Sequence, residues 1–213
     1  MTRAQLVALI QSRLGQRTSL DATVVAELQL AQTELESEPF LPWFLETSVI
    51  DSTTFVTVAS TRTLAVPTGF IREQDEQEAF MLKSGSYRYT ITRKPMDVLL
   101  QDTSLASAGF PKYYDRVFNT IYLFPTPDAA YNGTLLYFVG DAVLSADGTT
   151  NNWSTYAPEL LVARAGMSVG VVLRDANIVK YFTQLYEDRL TKLRQADSAN
   201  REAGRARMHG DAN

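Results

Sequence analysis

The stretch NWSTYAPELLVARAGMSVGVVLRDANIVKYFTQLYEDRLTKLR, residues 152–194, decides how this 213-residue chain is organised. Trp153, Tyr156 and Pro158 read as an aromatic-plus-proline helix start, since proline is pre-shaped for a first helical position. That helix is expected to run from Pro158 to about Arg174. Ala163, Gly166 and Gly170 stand at i, i+3 and i+7 on one of its faces, where small side chains let a neighbouring helix come close. Packing within the chain is the expected use of that face, a subunit contact the alternative. Asp175, Ala176 and Asn177 form a corner, and a last helix begins near Ile178 with Phe182, Leu185, Leu190 and Leu193 as its apolar positions. From Gln195 to Asn213 the apolar pattern stops.

Toward the N-terminus the period changes. Phe55–Val58, Thr63–Val66, Tyr87–Ile91, Thr120–Phe124 and Thr134–Val139 are short and rich in β-branched or aromatic residues. Turn signals bound them at Pro67-Thr68-Gly69, Ser84-Gly85-Ser86, Pro125-Thr126-Pro127-Asp128 and Asn132-Gly133. Strands so spaced point to a small antiparallel β-sandwich or barrel. Pro95 to Leu100 reads as a short helix, and Asp147 to Asn152 as a turn-rich linker. Ahead of the strands, Leu6, Leu9, Ile10 and Leu14 share one helical face, with Gly15 where a C-terminal cap belongs. Asp21 is expected to cap a second helix striped by Val24, Leu28, Ala31 and Leu35. Pro39 and Pro42 end it, and Phe40, Leu41, Trp43, Phe44 and Leu45 form an aromatic knot that seals the junction.

The expected fold is therefore α+β. N-terminal helices (1–46) and C-terminal helices (152–194) form one bundle, a β domain (47–151) is inserted between them, and an extended tail (195–213) follows.

Composition narrows the function. Hydrophobic residues make up 45% and charged residues 21%, ordinary for a globular protein. No apolar run approaches the ~18–20 residues that span a bilayer, and the N-terminus does not read as a secretory signal, so no membrane partner is expected. With no cysteine there is neither a disulfide framework nor a thiolate metal site, which suits a reducing cytoplasm. The net charge of −4 argues against a protein whose main task is gripping phosphates. The single histidine, His209, lies in the unpatterned tail with no partner for a triad or a metal. There is no phosphate-binding glycine loop and no nucleophile elbow. The expectation is no enzyme, no cofactor and no metal. Glu73, Asp75, Glu76 and Glu78, interleaved with Gln74 and Gln77, read as a solvated acidic surface. Their replacement by Gln should then change stability by no more than about 1 kcal/mol.

One order of motifs has a family look. Gly109-Phe110-Pro111-Lys112-Tyr113-Tyr114 precedes a strand ending Tyr122-Leu123-Phe124-Pro125-Thr126-Pro127-Asp128. Tyr131, the strand Leu135-Leu136-Tyr137-Phe138, Trp153 and Tyr156-Ala157-Pro158-Glu159-Leu160-Leu161 follow. This order resembles the head-to-tail adaptor (connector) proteins of short-tailed tailed phages, and with the N-terminal helices the likeness covers most of the chain. Each motif alone is a turn between strands or a helix start.

The resemblance implies a ring of twelve copies beneath the portal protein at the capsid vertex. Tail or nozzle proteins would dock below it, and genomic DNA would pass through the centre without specific binding. It implies assembly in the host cytoplasm and residence in the virion at the head–tail interface. A net negative ring suits a channel through which DNA slides, so Glu73, Asp75, Glu76 and Glu78 are candidates for its lining.

In the tail, Met208 is the only large apolar residue after Leu193, while Arg194, Arg201, Arg205 and Arg207 face Asp197, Glu202 and Asp211. Extended, it would reach about 60 Å. It reads either as a frayed end or as a segment that orders on a partner. The resemblance favours the second, with Arg194, Arg201, Arg205, Arg207 and Met208 on the portal. Removal from Gln195 onward is expected to leave the folded body intact. Another neck or tail-completion ring of the virion is the nearest alternative. A carbohydrate-binding β module, suggested by Tyr113, Tyr114, Tyr122 and Tyr137, is the more distant one.

Overall fold

The computed structural model describes residues 1–16, 18–74 and 78–210, the side chains of Thr18 and residues 203–210 excepted. In chain order the elements are α1 (Arg3–Arg13), α2 (Asp21–Ser37), β1 (Glu46–Val56), β2 (Thr63–Ala65), β3 (Phe70–Glu73), β4 (Phe80–Ser84), β5 (Tyr87–Thr90) and β6 (Thr92–Arg93). Then come α3 (Met96–Gln101), β7 (Tyr113–Val117), β8 (Thr120–Phe124), β9 (Asn132–Val139), α4 (Asn152–Tyr156), α5 (Pro158–Val172) and α6 (Ala176–Gly210). The fold is α+β. The chain divides into a helical unit, Met1–Leu45 with Asp141–Asn213, and a β unit, Glu46–Gly140.

The helical unit is built on the stripes that the sequence shows. Thr2 caps α1 through a reciprocal pair with Gln5, and Gly15 follows the helix at φ +77°, a left-handed conformation that costs glycine little. Val24, Leu28, Ala31 and Leu35 of α2 are buried with Leu6 and Ile10 of α1. Asp21 is the first residue of α2 rather than its cap; Leu20 holds the cap position without a side-chain bond. Leu41 and Leu45 are buried, and Phe44 packs edge-on to Trp153 at 5.1 Å and stacks on Tyr156 at 5.4 Å.

The small-residue face of α5 packs within the chain. A Cβ added at Gly166 would lie 2.5 Å from the ring of Phe182 on α6, and one at Gly170 would meet Ile178 and Val179 at 2.9 Å. Glycine here is a condition of close helix approach.

Residues 141–151, read in the sequence with the β region, belong to the helical unit through a buried polar network. Asn151 caps α4 and donates to the Gln32 side chain (3.0 Å) and the Ala142 carbonyl (2.8 Å). Glu36 accepts from the Trp153 indole at 3.1 Å and from the Asp141 amide at 3.2 Å. Buried polar groups paired this way avoid the penalty of lost hydration. The pattern of apolar residues does not report such pairing.

The β unit is two sheets, one ordered β1-β9-β4-β5 with β3 also on β9, the other β2-β8-β7-β6. Both contribute to one core: Phe55, Phe80, Leu82, Leu135 and Tyr137 from the first, Tyr114, Ile121 and Leu123 from the second. The expected antiparallel sheet needs one correction, because β6 and β7 pair in parallel. Four of the five expected strands form, as β2, β5, β8 and β9. The fifth, expected at Phe55–Val58, is instead the end of β1, which starts upstream at Glu46 and stops at Val56; β3, β4, β6 and β7 add to these. The short helix after Pro95 is present as α3, its Leu99 packed with Leu105 and Phe124.

The tail differs from the expected extended arm. Residues 195–210 continue α6, a single helix of 35 residues.

Candidate assembly surfaces

The tail helix is rooted before it leaves the body. Asp197 is buried, and its carboxylate accepts the backbone N–H of Trp43 at 2.7 Å and the guanidinium of Arg201 at 2.6 Å. Arg201 also reaches the Leu41 carbonyl at 3.5 Å. Arg194 lies over the ring of Phe40 at 5.4 Å. Two of the five residues assigned to portal binding are thus used by the chain itself, to dock the tail root onto the aromatic knot. Arg205, Arg207 and Met208 stand on the last turns of α6, with side chains outside the described residues, as does that of His209.

The acidic stretch is not one surface. Glu73 ends β3 with its side chain 2% exposed, accepts from Arg116 Nε at 3.0 Å and has Arg93 Nη1 at 4.0 Å. Its charge is paired inside the β unit rather than offered to solvent. Glu78 is exposed. Asp75 and Glu76 lie outside the described residues.

Arg116 connects this buried carboxylate to an exposed feature that the sequence does not single out. Its Nη1 donates to the Phe118 carbonyl at 2.9 Å, and its guanidinium lies 4.9 Å from the ring centre of Phe70. Phe118 sits in the β7–β8 turn at φ +52° with 87% of its surface exposed, beside exposed Val117. A large side chain seldom holds that conformation, so the only sequence signal was a hairpin turn lacking glycine.

Opposite charges also organise β1. Asp51 interrupts its register at φ +45° and pairs with Arg88 at 2.7 Å and Lys83 at 3.1 Å. The hydrogen bonds from Arg88 first, then Lys83, hold its carboxyl down at about 2. Tyr131 donates to Asp128 at 2.6 Å, which pushes its phenol up to about 12.

The tyrosines that suggested a sugar platform are mostly core. Tyr114 and Tyr137 are buried, and Tyr113 and Tyr122 pack against Leu99, Leu105 and Phe124. Stacking a sugar needs an open ring face, and the most exposed tyrosine is Tyr87 on β5. Among the described residues no three His, Cys, Asp or Glu side chains gather into a metal-binding group, and no helix is long and apolar enough to cross a membrane.

The helical unit carries a long charged helix rooted at Asp197, and the β unit an exposed aromatic turn at Phe118. The family model described as SU10 adaptor protein matches residues 1–208, and the chain belongs to that family of phage head–tail adaptors. It is a structural component of the virion, working at assembly with itself and with portal or tail components. The match supports a phage adaptor and not specifically one of short-tailed phages. No curated protein matches the chain.

Proposed function

We propose that twelve copies form a ring beneath the portal protein, join capsid to tail and leave a central channel for the genome. The ring is assembled in the host cytoplasm and carries tail or nozzle proteins below. The observation that supports this most is α6: its root is fixed to the body through Asp197 and Arg201, while the helix continues to Gly210. A fixed root presents the distal turns in one direction, which lowers the ordering cost of binding. Arg205, Arg207 and Met208 supply the grip, with arginine suited to carboxylates and carbonyls on a partner. Arg194 and Arg201 hold the root. The negative charge of Glu78, Asp75 and Glu76 repels passing DNA, so the genome slides without specific binding.

The isolated chain is monomeric at micromolar concentration and forms the ring on the portal as template. Weighing portal rings before and after addition of the chain tests this. Twelve added copies per ring support the reading, and no added mass, or a stable ring without portal, opposes it.

A further inference from the structure

Phe118 is the most exposed large apolar side chain among the described residues, 87% open to solvent. It also stands in a left-handed turn at φ +52°, where glycine would relieve strain. Two unfavourable choices at one position, on a turn whose Phe118 carbonyl is held by Arg116, mark a residue kept for contact rather than for stability. The neighbouring Val117 extends the apolar tip, and neither tip residue carries charge.

The helical unit has a matching socket. A groove of ≈ 380 Å³ is lined by Trp43, Tyr156, Leu160 and Leu193 together with the charged Glu159, Arg189 and Lys192. Tyr156 is 56% exposed there. The charges around it are already paired, Glu159 with Arg189 at 2.6 Å and Lys192 with Asp188 at 2.9 Å. An aromatic and aliphatic lining whose charged members are already in ion pairs suits an uncharged apolar guest and offers little to a phosphate or an acidic segment.

We propose that the β7–β8 turn of one copy docks Phe118 into this groove on a second copy. This rests on the self-assembling adaptor reading and names its contact. A knob on the β unit and a socket on the helical unit are two different patches, the two halves of a heterologous interface, the type that closes into rings, whereas a two-fold interface would pair a patch with itself.

The test uses two full-length variants of this cysteine-free chain, Asn119→Cys beside the knob and Lys192→Cys in the groove lining. They are mixed and oxidised at the highest soluble concentration. The mixed disulfide dimer should outnumber both homodimers, and adding Phe118→Gly to the Asn119→Cys chain should reduce it about tenfold or more. Phe118→Gly alone should melt no lower than the wild type, so the loss is not one of folding. A mixed dimer no commoner than the homodimers, or one indifferent to Phe118→Gly, overturns the proposal. Failure of the wild-type chain to load on portal rings would count against the adaptor reading while leaving this contact standing.

Discussion

Glu73 shows how a residue's role depends on what the fold brings beside it. In sequence it is one of four carboxylates among glutamines; in the structure it is buried against Arg116, 43 positions away. Replacing Glu73 with Gln should lower stability by about 1–3 kcal/mol, because the guanidinium keeps its place and loses its charge partner. Glu78→Gln should be silent, and thermal melting of the two variants separates them. Asp51 gives a pH-dependent expectation. Its folded-state pKa of about 2 lies below the ordinary 3.8, so its contribution is complete above about pH 4 and fades as pH falls toward 2. Asp51→Asn keeps a side chain that tolerates positive φ and removes the titration. Acid unfolding monitored from pH 4 to 2 should be shallower in this variant than in the wild type. An unchanged slope would show that Asp51 pairs as weakly unfolded as folded.

Among the elements, helices were legible because their apolar spacing is local. The stripe of α2 and the small face of α5 could be read directly, and both are buried as that spacing implies. Gly166→Ala should therefore cost roughly 1–3 kcal/mol, since the new methyl meets the Phe182 ring and the helices must part. Urea unfolding measures it. Strands were harder. β4, Phe80–Ser84, is a short run without clean alternation, and β3 ends in a carboxylate whose burial depends on a distant arginine. The root of α6 was illegible for the same reason: Asp197 looks like any surface aspartate until Trp43, 154 residues away, donates to it. Truncation now divides in two. Deleting residues 203–213 should leave the circular dichroism and melting of the body nearly unchanged. Deleting 195–213 should lower stability by about 1–3 kcal/mol, because the half-buried Trp43 amide loses its acceptor. Equal melting of the two truncations would contradict the rooted-helix account.

For the whole molecule, the α+β class and the insertion of strands between helices were readable from the change of period along the chain. The partners of its surfaces were not, because a docking surface has no internal contacts to impose a pattern on the residues that form it. Phe118 illustrates this: one aromatic residue at a turn carries no periodicity, and only its exposure and backbone conformation set it apart. The distal turns of α6 are similar, with arginines whose use lies on another protein. If each copy grips the portal through such turns, the contributions combine by avidity around the ring, and loss of residues 203–213 should abolish loading even where a single contact is weak. The direct measurement is cryo-electron microscopy of purified portal rings mixed with the full-length chain. The account predicts a twelvefold ring of added density beneath the portal, with the end of α6 from each copy against it. Portal rings without added density, or density that remains when residues 203–213 are deleted, would contradict it.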